Sequence, residues 1–273
     1  MLQISQLLFY PIKSMKGISV AKARVTDRGF EHDRRWMLVD RDNQFISQRE
    51  LPKMALLDLR LEDDGIRVTC PQKQTFITVP FHTPKNQGDA FTDVVIWDDT
   101  CRAQWVGGEA DAWFSSVLGA DCRLVFMPDE TKRTTDPRYA PEGSITSFAD
   151  GYPFLLIGQA SLDDLNSRLS QRLPMDRFRP NIVFTGGAPY LEDTLHTFTA
   201  GKKAKGGSIT FRGVKPCARC VITTINQETA QKGKEPLKTL ASYRFRNNKI
   251  LFGQNLVHDG PGELSAGDEL IIN

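Results

Sequence analysis

Residues 213–226 read GVKPCARCVITTIN. Cys217 and Cys220 form a Cys-x-x-Cys pair, and the five residues after it, Val221 to Ile225, are all β-branched. Such a run predicts a strand, because branching at Cβ stiffens the side chain and suits a pleated surface. Strand-like runs recur outward in both directions. Downstream are KILFGQNLV (249–257) and DELIIN (268–273); upstream are GSITFRG (207–213), NIVFTG (181–186) and PFLLIG (153–158). Gly186–Gly187, Gly206–Gly207 and Gly213 mark turns between them.

The first 125 residues have the same grain. LQISQLLFY (2–10), SVAKARVTD (19–27), RRWMLVD (34–40), MALLDLRLE (54–62), GIRVTCP (65–71), TFITVPF (75–81) and DVVIWDD (93–99) have strand length and strand composition. Asp64–Gly65 and the Asp40–Asn43 stretch read as hairpin turns. Two helices stand out. One covers Glu109 to Leu118, where Trp113 and Val117 sit one turn apart. The other starts at an N-cap Ser161 and carries Leu162, Leu165, Leu169 and Leu173 at helical spacing. Between the halves, Pro128 to Gly143 is charged, aperiodic and holds three prolines, which reads as a linker or as a flap over a site. The expected fold is therefore mainly β with a few helices (α+β). It is drawn as two packed β-barrel-like domains, residues 1–125 and 126–273.

Composition narrows the function classes. Of 273 residues, 40% are hydrophobic and 25% charged, the balance of a soluble globular chain. A net charge of +2 is too small to attract nucleic acid or a membrane surface in general, so any anion site must be built locally. No apolar run approaches the roughly 18–20 residues of a membrane helix. The opening MLQISQLLFYPIKSM lacks the basic start and small-residue cleavage pattern of a secretory signal, so the expected location is cytoplasmic. Five cysteines are too few, and odd in number, for a disulfide framework. Cys70, Cys101 and Cys122 stand alone and read as structural thiols.

Four readings of the Cys-x-x-Cys pair compete. A redox pair should open a helix, whose dipole favours thiolate, but the segment has strand propensity. A structural zinc needs four ligands; there is no second pair, and His32, His82, His196 and His258 are isolated. Buried cysteines would be unremarkable small hydrophobes, although Lys215 and Arg219 flank these two. The fourth reading is a single thiolate ligand to a soft-accepting metal whose other ligands come from a cofactor.

KPCARCVITTIN, followed by KEPLKTLASYR and LFGQNLV, resembles the second half of the MOSC (molybdenum cofactor sulfurase C-terminal) domain. FRPN at Phe178–Asn181 and YPIKSMKG at Tyr10–Gly17 fit the same family, with its N-terminal β-barrel domain. The resemblance spans essentially the whole chain. Within the family it is similar to the bacterial YcbX-type proteins and the mitochondrial amidoxime-reducing component, molybdenum enzymes that reduce N-hydroxylated compounds.

The resemblance implies a molybdenum cofactor (molybdopterin) with Cys220 as metal ligand and catalytic centre, and Cys217 as its neighbour. Lys13, Ser14, Arg34 and Arg179 match residues that hold the cofactor, and arginine and lysine suit its phosphate. Asp150 and Gly151 match a loop over the cofactor. Phe252, Gly253, Gln254 and Asn255 match a turn near the metal, and Arg219 flanks the ligand. These residues are far apart in sequence and must converge between the halves. YcbX-type chains also carry a C-terminal ferredoxin-like domain. This sequence ends at DELIIN without cysteines for an Fe–S cluster, so the expectation is an electron donor on another protein, a ferredoxin or a flavin reductase. The implied substrates are hydroxylaminopurines, amidoximes and hydroxylamines, and the implied role is detoxification. A carrier of the cofactor, or of sulfur on Cys220, is the competing reading.

Overall fold

A computed structural model describes residues 1–81 and 91–273. His82 lies outside the described residues. Seven strands close into a barrel: β1 (Leu2–Phe9), β2 (Phe154–Gly158), β3 (Ile182–Thr185), β4 (Thr197–Ala200), β5 (Ile209–Ala218), β6 (Lys249–His258) and β7 (Glu269–Ile272). The order around it is β2-β3-β1-β7-β4-β5-β6, and pairing of β6 with β2 completes the ring. The β2–β3 pair is parallel and the other pairs are antiparallel.

The first strand of the chain is thus a stave of the barrel built by the second half. Its burial alternates, but in two phases: Leu2 and Ile4 point inward, then Leu7 and Phe9. A register shift between Ile4 and Gln6 against β3 explains the change, since an extra residue in a ladder flips the side-chain alternation. Inside, Ile4, Leu7, Phe154, Leu156, Phe184, Phe198 and Phe211 form one apolar cluster. Strand β2 is buried at every position. Phe154 and Leu156 face the barrel core, while Leu155 and Ile157 belong to a second cluster with Leu162, Leu165 and Phe178. A continuous apolar run is what burial on both faces demands.

The remaining strands of the first half form open sheets rather than a closed barrel. One pairs Trp36–Val39, Arg123–Phe126, Asp99–Trp105 and Phe91–Ile96, and another pairs Asp58–Leu61, Gly65–Cys70 and Thr75–Pro80. The helix Gly108–Leu118 covers them with Ala110, Phe114, Val117 and Leu118. Among the described residues no helix is long and apolar enough to cross a membrane.

Three local expectations are corrected. Val221–Thr224 is a 3-10 turn, not a strand. The hydroxyls of Thr223 and Thr224 donate to the carbonyls of Cys220 and Val221, 2.9 and 2.8 Å away, and this local bonding outcompetes the ladder. The second helix runs Gln159–Ser167, so Ser161 lies inside it and does not cap it, and Leu169 and Leu173 fall beyond its end. Ser161 Oγ donates instead to buried Glu192 Oε2 at 2.8 Å. The Pro128–Gly143 stretch is not free of structure: Arg133–Thr134 pairs with Ile145–Thr146.

Two outcomes test the barrel. Leu7 is fully buried in β1, and Leu7→Ala is expected to cost about 2–5 kcal/mol in urea unfolding, the cost of a core cavity. A loss below about 1 kcal/mol would show that β1 is not part of the core. His258, on β6, contacts the Thr26 carbonyl at 2.6 Å, and burial pushes its imidazole below the ordinary value. The unfolded chain therefore binds the extra proton between that lowered value and about 6.5, so stability falls as pH drops through this window. His258→Gln should shrink the loss measured between pH 7.5 and 5.5; an unchanged loss would refute the assignment.

Candidate functional site

Strand β1 delivers the chain to Tyr10–Ser14, which lies beside His32–Trp36 through three backbone bonds. Arg34 N donates to Tyr10 O (2.8 Å), Trp36 N to Pro11 O (3.2 Å) and Lys13 N to Trp36 O (2.8 Å). The two sequence motifs of the first half are therefore one structural unit. It faces a cleft against the second half. Lys13, Ser14, Arg34, Asp150, Gly151, Arg179, Arg219, Cys220 and Asn255 line it, together with Tyr152, Phe178, Asn181, Cys217 and Thr223. Water-sized solutes reach about 110 Å³ of the cleft, and its whole empty space with the mouth is about 750 Å³.

The cleft's charge is lopsided: four cations line it against one carboxylate, Asp150. Arg34 and Arg179 both lie over the Tyr10 ring, their guanidinium carbons 4.3 and 4.2 Å from its centroid. The Tyr10 hydroxyl donates to Pro180 O at 3.0 Å, and burial pushes it up to about 12, so the ring stays neutral. Arg34 is held by Asp33 (2.6 Å) and Asn181 Oδ1 (3.1 Å). Burial pushes the Asp33 carboxyl up, against the opposing pull of Arg34. Arg179 differs: its guanidinium makes no hydrogen bond or ion pair among the described residues. Burial lowers it to about 10, which leaves it charged at neutral pH and without an anion.

Ser14, Arg34 and Arg179 all have left-handed backbones, with φ of 66°, 49° and 55°. Such conformations cost non-glycine residues roughly 1 kcal/mol or more each, and persist where the surroundings hold them for a purpose. Opposite, Lys13 is buried, its ammonium 2.6 Å from Asp150 Oδ1 and 2.9 Å from Phe148 O. Burial pushes Lys13 down, while Asp150 pulls it back. Buried Arg133 fixes the neighbouring loop, donating to the carbonyls of Ser147, Ala149 and Asp150 and to Asp99. The segment expected as linker or flap thus anchors the loop that carries Asp150.

Cys220 stands at the head of the Val221–Thr224 turn, half-buried, and its thiol has no hydrogen-bond partner among the described residues. Cys217 Sγ accepts from Arg219 Nη1 at 3.0 Å. Arg219 Nη2 donates to Phe178 O at 2.7 Å, yet its buried Nε has no partner. Cys70, Cys101 and Cys122 are buried away from the cleft, and burial pushes the Cys101 thiol up to about 11, in keeping with a structural role. Phe252, Gly253 and Gln254 do not line the cleft. They sit behind its wall: the Phe252 ring packs tilted against Phe178, centroids 4.3 Å apart, and Gly253, at φ 83°, leaves a Cβ no room against Ile157 and the Leu156 carbonyl. Tyr10, Asp33 and Asn181 were missed as site residues, although each lies within or beside a quoted motif.

An unpaired guanidinium, an orphaned guanidinium N–H and an unbonded thiol fit a ligand that is anionic at one end and thiophilic at the other. Among the described residues no group of three or more His, Cys, Asp or Glu could hold a metal. A metal here must bring most of its own ligands.

Comparison with known proteins places this geometry. Residues 1–121 match the MOSC N-terminal beta barrel domain, and residues 144–271 match the MOSC domain. The chain is 32% identical to mitochondrial amidoxime-reducing component 1 of Mus musculus, over 98% of this chain and 82% of that protein. It is 33% identical to mitochondrial amidoxime reducing component 2 of Rattus norvegicus, over 97% and 81%. It is also 32% identical to the molybdenum cofactor sulfurase of Oryza sativa subsp. japonica, over 97% of this chain but 34% of that protein.

The cleft should bind inorganic phosphate in calorimetric titration. Arg179→Gln is expected to weaken that binding about tenfold, the worth of one charge-assisted contact, with an unchanged melting temperature. Equal affinity in the variant would remove Arg179 from the anion site.

Proposed function

The chain belongs to the MOSC family, its N-terminal beta barrel domain included, and from that premise we propose a molybdenum-cofactor-dependent reductase of N-hydroxylated compounds. The supporting observation is the convergence, in one cleft, of the Cys220 thiol with four cations drawn from both halves of the chain. The reading takes residues 1–125 as the N-terminal domain and 126–273 as the domain carrying the metal ligand.

Cys220 would ligate molybdenum as a soft anionic donor. Arg179 and Arg34 would hold the cofactor's phosphate in their planar forks, and Lys13 and Ser14 would close the same end. The cofactor, when bound, supplies the two-electron chemistry: an N-hydroxylated substrate, two electrons and two protons give the N–H compound and water. The chain's own residues orient and insulate. The Tyr10 ring carries both guanidiniums, Arg133 holds the Asp150 loop, and Phe178 with Phe252 forms the wall behind Arg219. Against the opposing effect of burial, the Lys13 ammonium holds the Asp150 carboxyl well below the usual carboxylate range, so Asp150 stays ionised and fixes Lys13 at the cleft. Candidate substrates are hydroxylaminopurines, amidoximes and hydroxylamines, and the electrons come from a separate protein such as a ferredoxin or flavin reductase. The names of the amidoxime-reducing relatives support this substrate class.

A carrier of the cofactor or of sulfur is the second reading, and the match to a molybdenum cofactor sulfurase supports it. Benzamidoxime reduction by cofactor-loaded protein, with reduced methyl viologen as donor, separates the two. Turnover is expected for the reductase; a molybdenum-loaded protein inert to every N-hydroxylated compound would favour the carrier. Cys220→Ala should lose turnover and most of its molybdenum, whereas Cys217→Ala should keep both. Full activity in Cys220→Ala would overturn the ligand assignment.

A further inference from the structure

We infer that the surface formed by residues 232–249 is the docking face for an acidic protein electron carrier, which delivers electrons beside Cys220. The inference rests on the reductase reading and adds to it where the donor binds and what charge it must bear.

The charge of this segment is mostly basic. Six of the chain's 35 lysines and arginines fall in residues 232–249, against one of its 33 acidic residues, Glu235. Residues 202–219 also hold six lysines and arginines and no acidic residue, so residues 232–249 are one of two basic stretches. Arg244 is buried and paired with Asp193, so it is not part of the surface. Lys234, Lys238, Arg246 and Lys249 are exposed, and none meets a carboxylate among the described residues. Glu235 is one negative charge among them and makes no ion pair with them among the described residues; its Oε2 accepts the backbone N–H of Thr239 at 3.0 Å.

The segment is built on to the Cys220 turn. Gly233 N donates to Thr224 O at 3.0 Å, and the short helix Leu237–Ala241 packs against Val221–Thr224. Arg219 N donates to Ile250 O at 2.8 Å. Between them Phe245–Arg246 pairs with Lys249–Ile250 across Asn247 and Asn248, both left-handed, which is the backbone of a tight hairpin turn. Val221, the residue after Cys220, is 53% exposed, and Phe245 is 55% exposed. Exposed apolar side chains on elements that also carry unpaired basic ones are the mix a transient protein interface uses. The unpaired charges would speed encounter with an acidic partner and exclude basic ones. An anionic membrane would also meet the charges, but a two-residue-pair hairpin and a five-residue helix offer no long amphipathic face to insert.

The experiment uses the full-length, cofactor-loaded protein, with reduced plant-type ferredoxin as the acidic donor and reduced methyl viologen as the small donor. In wild type, kcat/KM for ferredoxin should fall steeply as salt rises, as charge steering requires. Lys234→Glu, Lys238→Glu, Arg246→Glu and Lys249→Glu together should raise KM for ferredoxin at least about tenfold and flatten its salt dependence. Viologen-driven turnover should be unchanged. The four glutamine substitutions, which remove charge without reversing it, should give an intermediate effect. Calorimetric titration of oxidised ferredoxin reads the same contact without turnover, so an inactive enzyme would count against the reductase reading alone. The inference is overturned if wild type shows no salt-dependent binding of ferredoxin, or if the charge-reversed protein binds it as wild type does. It is equally overturned if the variant loses only binding to vesicles of anionic lipid.

Discussion

Closure of the barrel by the first strand is the constraint on which the site depends. Leu2–Phe9 fits between β3 and β7, and its Leu7 and Phe9 enter the core contributed by the second half. The chain then leaves the barrel at Tyr10, directly beside Arg179. That pairing, together with the bonds of Tyr10 to Pro180, Arg34 to Asn181 and Lys13 to Asp150, fixes the first-half motifs relative to Cys220. Non-local pairing of this kind is slow to find and costs loop entropy, but it locks two distant segments into one rigid frame.

On this frame the electrostatics are unbalanced by design of the backbone. Asp33 neutralises Arg34 from behind, and Asp150 neutralises Lys13 from the side. Arg179 has only the face of Tyr10, and the buried Nε of Arg219 has nothing. Buried polar groups are normally satisfied, so the Arg219 Nε is an exception, whereas half-buried Arg179 opens its guanidinium to the cleft. Left-handed backbones at Ser14, Arg34 and Arg179 show that the same residues are held under conformational load. The arrangement would let a chain of net charge +2 recognise an anion, because the field is local and partly shielded from water.

Much of this was legible in the sequence, and the exceptions have physical causes. The alternating and continuous apolar runs gave the β-rich class, because periodicity reports burial directly. The barrel's membership was not legible, since nothing in Leu2–Phe9 says that its partners lie some 180 residues away. Strands such as Thr197–Ala200 and Gly262–Ser265 are short and gave no signal of their own. Val221–Ile225 misled because β-branched residues favour strands, while two threonine hydroxyls bond back to the preceding carbonyls and wind a turn. Lys13, Arg34 and Arg179 were named from the motifs that contain them, whereas Tyr10 was overlooked. Its role is to present a flat, neutral ring to two cations, which only the folded arrangement displays.

Anomalous diffraction at the molybdenum edge, from crystals of cofactor-loaded protein, tests the central claim most directly. The account predicts one molybdenum peak bonded to Cys220 Sγ, with the cofactor's phosphate in contact with the Arg179 guanidinium. A peak bonded to Cys217 or lying outside the cleft would contradict it, as would a phosphate that leaves Arg179 unpaired.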